Sequence, residues 1–344
     1  MTEAPGSDDH PGQISARQTG DASSAELVVS IINYRTAELT LDCVRSVMAC
    51  RDEAALAIVV IDNASGDGSP DAIAAWIAAQ PAPVPVTLIR SEVNLGFAGG
   101  HNAVMRTHPA QNYLLLNSDT VLRAGALQHL LAAADAHPRA GLLAPRLEDP
   151  DGTGQISCFR LHTPMSELIR GAATGPVTKA LARYDVPLSL TPDPDAIGWV
   201  SFACVLIRHD VIAQLDGLDD DFFLYYEDAE FCHRATQAGW QIAYIPDARV
   251  VHFRGGSGPV KQLSRAAKRL PAYYYFSRTR YYTKLYGRAG LALANICWGL
   301  GRFIALSRRL IGKPVPRARQ FEWRDIWMGF GRTPLSLTHK TPGT

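Results

Sequence analysis

Between residues 27 and 148 the chain alternates apolar runs of strand length with segments of helical periodicity, and few folds satisfy that alternation. The runs are "LVVSIINY" (27–34), "LAIVVIDN" (56–63), "VTLIRS" (86–91), "NYLLLNSD" (112–119) and "AGLLAPRLE" (140–148). Their largely unbroken apolar stretches mark strands buried on both faces. Helical patterns occupy 36–50, 69–80 and the neighbourhoods of 99–107 and 124–136. The first has Thr36 as its N-cap and Leu39 opening its apolar stripe; the second has Pro70 in its first turn. Apolar strands joined by helical crossovers predict a parallel sheet covered by helices on both faces.

After Pro150 the pattern changes. Residues 149–197 read as loop-rich, with Gly, Pro and Thr clusters, 199–215 as a strand running into a short helix, and 241–253 as a strand. From about 264 the chain reads as helices rich in Tyr, Arg and Ala. Residues 1–25 are polar and rich in Gly, Ser and Pro, the composition of a disordered tail with no signal-peptide character. Three segments follow: a tail (1–25), a domain built on the strands (26–256) and a basic helical extension (257–344).

The net charge of +1 on 344 residues gives no reason to expect a nucleic-acid partner. The charge is unevenly spread: from Arg254 to Arg324 there are 16 Lys/Arg and one acid, Glu322, a local +15. That basic end predicts contact with an anionic surface. No charge-free apolar run reaches the length of a bilayer span, because Arg302 interrupts the longest, so a peripheral membrane contact is expected rather than a crossing. The six cysteines show no CxxC or metal-type spacing with histidine and read as buried free thiols of a reducing compartment.

Ligands of open parallel sheets sit beyond the carboxyl ends of the strands. Here those ends carry Asn33-Tyr34-Arg35, Asp62-Asn63-Ala64-Ser65, Arg90 to Asn94, and Asn117-Ser118-Asp119. Such polar groups suggest a nucleotide site. The first strand–helix turn, "NYRTAEL", contains no glycine, so the GxGxxG fingerprint is absent, and the P-loop pattern is absent too. Downstream, "FFLYYEDAEFC" (222–232) sets an adjacent acid pair, Glu227 and Asp228, behind aromatics at the mouth of a helix.

Taken in order, "VSIINYRT", "VVIDNASGDGS", "NLGFAGGHN", "LLLNSDTVL", "WVSFACVLIRHDV" and "FFLYYEDAEFCHRATQAGW" resemble the family-2 glycosyltransferases of GT-A fold, nearest the rhamnosyltransferase-like branch. The resemblance covers roughly residues 27–256. It implies a mixed, mostly parallel Rossmann-like sheet flanked by helices, and an inverting transfer from a nucleoside-diphosphate sugar assisted by Mg²⁺ or Mn²⁺. Thymidine-diphospho-rhamnose is the favoured donor and a lipid-linked or polysaccharide glycan the favoured acceptor. The implied place is the cytoplasmic face of the plasma membrane, and a homo-oligomer is left open.

By the same resemblance, Asp228 is the base that takes the acceptor's proton, held ionised by the helix dipole, with Glu227 orienting it or touching the acceptor. Trp199, Tyr225 and Tyr226 offer the acceptor flat faces. Asn33, Tyr34, Arg35, Asp62, Asn94, Asn102, Asn117 and Ser118 contact the donor, Asp62 accepting from the base N–H. Gly96, Gly99 and Gly100 admit backbone close to it. Asp119 and His252 are the metal residues, although Asn117 stands where the family's Asp-x-Asp motif has its first acid. Taken alone, each of these has a plainer reading: an Asx-turn at Asp62, a helix cap at Asp119, an ordinary helix start at 94–102, a structural His252. A galactosyl- or other hexosyltransferase on the same fold, and a non-catalytic nucleotide-sugar-binding module, are the alternatives.

Overall fold

The computed structural model describes residues 25–81, 86–254 and 260–331. The expected disordered tail lies outside these residues apart from Ala25, which begins the first strand, and so does most of the "RGGSG" that follows His252. Strands β1 (Ala25–Asn33), β2 (Leu56–Asn63), β3 (Val86–Ser91), β4 (Ala110–Asn117) and β6 (Ala140–Glu148) fall where the apolar runs place them. Between them run α1 (Ala37–Ala49), α2 (Ser69–Ala78), α3 (Gly96–Thr107), a short β5 (Thr120–Leu122) and α4 (Ala126–Ala136). Two-residue strands β7 (Cys158–Phe159) and β8 (Trp199–Val200) pair with each other. In the same stretch lie α5 (Pro164–Ala172) and α6 (Gly175–Ala180). Then come β9 (Cys204–Arg208), α7 (His209–Leu215), α8 (Glu227–Gln237), β10 (Gln241–His252), α9 (Val260–Arg265), α10 (Ala272–Ser307) and α11 (Glu322–Asp325).

The main sheet has the order β3-β2-β1-β4-β9-β6-β10-β5. β1 to β4 pair in parallel, as do β6 and β10, whereas β9 is antiparallel to both of its neighbours and β5 is antiparallel to β10. The sheet is mixed and mostly parallel, as the family resemblance implies, and the antiparallel setting of β9 has a geometric reason. Residues 149–203 stay at the carboxyl edge, where the Asn117 N–H donates to the Ala203 carbonyl (2.9 Å). The chain therefore re-enters the sheet from that edge, running downward. Apolar side chains fill both faces: one core under α1, α2 and α4, the other under α3, α7 and α8. All six cysteines are buried free thiols, and burial pushes Cys43 and Cys50 up to about 12.

Two local readings need correction. Thr36 holds the N-cap position of α1 without bonding the helix N–H groups; its hydroxyl meets Ser118 Oγ (3.1 Å) and Asn33 Oδ1 (3.4 Å). The region 149–197 is not mere loop. Thr163, Pro164 and Ser166 form a capping box with Pro in the first turn and start α5.

The basic extension packs on the catalytic domain through α5. A Cβ on Gly171 would lie 2.3 Å from the Trp298 carbonyl oxygen, and one on Gly301 would lie 2.3 Å from that of Leu168, so the two helices cross backbone to backbone. Beside the crossing Glu167 is buried among Arg170 and Arg278, and Arg170 also reaches Glu322 of α11. The two guanidinium groups hold the Glu167 carboxylate far below its usual range against its burial. α10 is broken at Gly287 (φ 67°, ψ 180°).

Candidate active site

A cleft of about 710 Å³ opens along the carboxyl edge of β1 and β4, bounded by the loop before α8 and by α9. Of the residues singled out in the sequence it gathers Tyr34, Asn94, Gly96, Asn117, Ser118, Asp119, Trp199, Tyr225, Glu227, Asp228 and His252. Asn33, Arg35, Asp62, Gly99, Gly100, Asn102 and Tyr226 are not on its walls.

Those outside it build its frame. Asn33 is fully buried; its amide donates to Asp62 Oδ1 (2.7 Å) and Ser69 Oγ (2.9 Å) while its oxygen accepts from Thr40 Oγ1 (3.0 Å), tying the ends of β1 and β2 to two helices. Asp62 accepts from the Ser65 N–H (3.2 Å) and hydroxyl (2.5 Å), the Asx-turn arrangement. Arg35, in left-handed backbone (φ 59°), donates from Nε to the Ser65 carbonyl (2.7 Å). Asn102 exchanges two hydrogen bonds with the Leu218 backbone (2.7 and 2.9 Å), anchoring the chain ahead of the acid pair. The glycines admit protein: a Cβ on Gly100 would meet Ile32 Cδ1 at 2.9 Å, one on Gly99 would meet Leu95 Cβ at 3.0 Å, and one on Gly96 would lie 2.2 Å from the Phe223 carbonyl oxygen.

That last approach positions the acids. With Gly96 at φ +70°, the Phe97 N–H reaches the Phe223 carbonyl (2.8 Å), so the start of α3 grips the loop that delivers α8. The loop then turns through two left-handed tyrosines, Tyr225 (φ 73°) and Tyr226 (φ 71°). Tyr225 faces the cleft, whereas Tyr226 turns inward against His162, Tyr274 and Tyr281. Glu227 and Asp228 follow as the first residues of α8.

Burial governs this pair. Glu227 is 5% exposed, and its Oε2 has no hydrogen-bond partner among the described residues. Desolvation, then the neighbouring Asp228 charge, push its carboxyl well above the usual range. Asp228 accepts from the Ala229 N–H (2.9 Å), yet desolvation raises it to about 7. The expectation that the helix terminus holds Asp228 firmly ionised therefore fails, because desolvation outweighs the backbone N–H groups. A carboxyl poised near neutrality can accept a proton and lose it again.

On the floor of the cleft, His252 at the end of β10 pairs with Thr120 beside Asp119, and the Phe253 N–H donates to the Asp119 carbonyl (3.0 Å). His252 Nε2 stands 3.5 Å from Asp119 Oδ1. Among the described residues no three metal-ligating side chains cluster. One carboxylate and one imidazole do not cage an ion, but they fit a Mg²⁺ or Mn²⁺ that keeps phosphate and water in its other positions. Trp199 stacks on Phe159 (centroids 4.2 Å apart, 17° between planes) and donates from its indole N–H to the Arg160 carbonyl (2.9 Å), forming a rigid apolar wall.

Sequence reading missed two parts of the site. Asn63 lines the cleft; its amide donates to Asn94 Oδ1 (3.0 Å) and the Gly96 carbonyl (2.9 Å), and its oxygen accepts from the Leu95 N–H (2.9 Å). A basic wall of Arg254, Lys261 and Arg265 faces the Asp119 side. Gln155 orients Arg254, accepting from its Nε (2.6 Å) while donating to the His252 carbonyl (2.8 Å). The signal for that wall was the onset of the basic excess at Arg254.

Comparison with known proteins agrees with this anatomy. The family model described as glycosyl transferase family 2 matches residues 28–176. The N-acetylglucosaminyl-diphospho-decaprenol L-rhamnosyltransferase of Mycobacterium tuberculosis is 30% identical over 289 residues, covering 78% of this chain and 87% of that protein. The low-salt glycan biosynthesis hexosyltransferase Agl10 of Haloferax volcanii is 24% identical over 231 residues, 66% of this chain and 67% of its own. Among solved structures, GalNAc-T7 with UDP, GalNAc and Mn²⁺ superposes with a TM-score of 0.53 at 14% identity, over 76% of this chain and 51% of that one, a likeness of fold. With a relative that similar along most of both chains, and the strand-end motifs converging on one cleft, the chain belongs to glycosyl transferase family 2, on its rhamnosyltransferase-like branch, with the GT-A fold.

Proposed function

We propose that the protein is an inverting, metal-assisted rhamnosyltransferase that moves rhamnose from thymidine-diphospho-rhamnose to a lipid-linked or polysaccharide glycan at the inner face of the plasma membrane. The observation that carries this reading is the position of Asp228. Its carboxyl, raised to about 7, shares one cleft with Asp119 and His252. The acceptor hydroxyl sits against Asp228 and gives up its proton there as its oxygen bonds to the anomeric carbon. The bond from that carbon to the diphosphate breaks on the opposite face, so the anomeric configuration inverts. Glu227 beside it is pushed up by burial and then by the Asp228 charge, which disfavours ionising both carboxyls at once. Arg254, Lys261 and Arg265 face the leaving diphosphate, and Asp119 and His252 would hold the Mg²⁺ or Mn²⁺, which when bound offsets the charge developing on that group. Trp199 and Tyr225 present aromatic faces to the acceptor sugar.

The sugar and the acceptor are suggested by the mycobacterial relative, an N-acetylglucosaminyl-diphospho-decaprenol L-rhamnosyltransferase. The discriminating experiment offers thymidine-diphospho-rhamnose and uridine-diphospho-hexoses, each with Mn²⁺ and a short-chain lipid-diphosphate N-acetylglucosamine acceptor. Product anomeric configuration is read by NMR. Rhamnosyl transfer with inversion, lost with a chelator, is expected. Transfer of a hexose instead would move the protein to the hexosyltransferase reading, and tight donor binding without turnover would make it a binding module.

A further inference from the structure

The second half of α10, beyond the Gly287 break, has two unlike faces. One is buried, Trp298 and Gly301 against α5 and Leu291 and Ala294 in a cluster with Phe222, Tyr281 and Tyr282. The opposite face is apolar and exposed: Leu293, Ile296, Leu300 and Phe303 recur at three- and four-residue spacing, and Leu310 and Ile311 extend the stripe. Phe303 is 72% exposed and Leu310 89%. Trp323, 67% exposed, and Trp327 add aromatic surface on and just after α11. An exposed apolar stripe of this kind along one helix face marks a contact site.

Charge identifies the partner. From Ala272 to Phe321 the sequence contains no Asp or Glu, while Arg308, Arg309, Lys313 and Arg317 follow directly on the apolar stripe. An apolar helix face followed by basic residues fits the interface of an anionic bilayer, with the stripe among the upper acyl chains and the cations at the headgroups. By length and composition α10 could also cross a membrane. Its inner face, however, is committed to α5, and Arg302 within it donates to the Gly171 (3.4 Å) and Pro316 (3.0 Å) carbonyls.

We infer that the outer face of α10 is an in-plane docking surface for anionic lipid, holding the enzyme on the bilayer that carries its acceptor. The proposal rests on the lipid-linked reading for its purpose only, since lipid binding is measured without turnover. The full-length protein is co-sedimented with phosphatidylglycerol/phosphatidylcholine vesicles and with pure phosphatidylcholine vesicles, at low and high salt. Strong binding to the anionic vesicles is expected, falling at least about tenfold at high salt or on neutral lipid. Leu300→Glu/Phe303→Glu should lower it by at least about tenfold with the melting temperature unchanged, because neither side chain is in a core. Arg308→Ala/Arg309→Ala/Lys313→Ala, confined to the surface, should remove most of the anionic preference and serves if the first variant misfolds. Failure of the wild type to bind anionic vesicles would overturn the proposal. So would a concentration-dependent dimer, abolished by the double variant, in a protein that ignores vesicles, for the occupant would then be a second copy. Membrane-bound protein that resists both salt and alkaline carbonate would replace in-plane docking by a span.

Discussion

Replacing Asp228 by Asn separates the two consequences of burying a base. Desolvation raises the carboxyl from its ordinary 3.8 to about 7 in the folded protein. Between those two pH values the folded state binds more protons than the unfolded one. The contribution of Asp228 to stability is therefore complete below about pH 4 and is lost as pH rises through 7. The loss amounts to at most about 4 kcal/mol at 1.36 kcal/mol per pH unit, of which roughly 2.5 kcal/mol falls between pH 5 and pH 8. Asparagine has nearly the same shape and never ionises. D228N should consequently gain on the wild type with rising pH, its melting-temperature advantage growing by roughly 5 °C between pH 5 and pH 8. The same substitution should lower turnover by at least about a hundredfold. The wild-type rate should fall about tenfold for each pH unit below 7. Burial and then the Asp228 charge push Glu227 upward, and E227Q removes that carboxyl while leaving the desolvation of Asp228 in place, so the acid limb should stay near pH 7. Paired melting curves and a pH–rate profile test all of this. An acid limb near pH 4, with the same D228N melting difference at both pH values, would mean that Asp228 is a hydrated, ordinary carboxylate and would refute the reasoning.

Asp119→Ala should abolish metal-dependent donor binding while the apo protein stays folded; calorimetry showing unchanged donor affinity with Mn²⁺ present would count against its role. Gly96→Ala puts a methyl 2.2 Å from the Phe223 carbonyl oxygen in left-handed backbone; it should destabilise by roughly 1–3 kcal/mol in a denaturant titration and lower turnover more than donor affinity. Arg278→Met removes a fully buried guanidinium 3.1 Å from Glu167. Because Glu167 keeps Arg170, the loss should lie toward the low end of the 3–5 kcal/mol scale for broken buried pairs, about 3 kcal/mol by the same titration.

Strands and their crossovers were legible because a strand buried on both faces leaves an unmistakable apolar run, and β2, β3 and β6 match it residue for residue. What the runs could not convey is direction: β9 reads like its neighbours but enters from the other edge, a property of the preceding 55-residue excursion rather than of its own residues. The site was legible at the level of which segments meet. It was less so at the level of which side chain faces the cleft. Asn33 and Asn63 are both polar ends of apolar strands, yet only Asn63 lines the cavity, because Asn33 spends its amide on Asp62 and Ser69. The glycines were correctly read as points of close approach, but a missing Cβ does not say whether ligand or protein comes near. α5 was missed because its capping signal lies among Gly, Pro and Thr, and its burial depends on a helix more than a hundred residues later.

The aromatic collar and the glycine loop, which look like separate elements, act as one support for the acid pair. Two successive non-glycine residues in left-handed backbone cost roughly 1–2 kcal/mol each. Such a turn persists only where its surroundings over-determine it. Here Gly96 holds it from one side through the contact of Phe97 with Phe223. His162, Tyr274 and Tyr281 hold Tyr226 from the other, while the Ser277 hydroxyl donates to the Leu224 carbonyl (3.1 Å) between them. The strain has a use, because it reverses the chain sharply enough to begin α8 inside the cleft, with Glu227 and Asp228 buried at its first turn. Burial in turn lifts Asp228 to about 7. Half of the collar therefore lines the cleft and half is scaffold: Tyr225 looks into the cavity, and Tyr226 is the wedge that keeps the acids aimed at it.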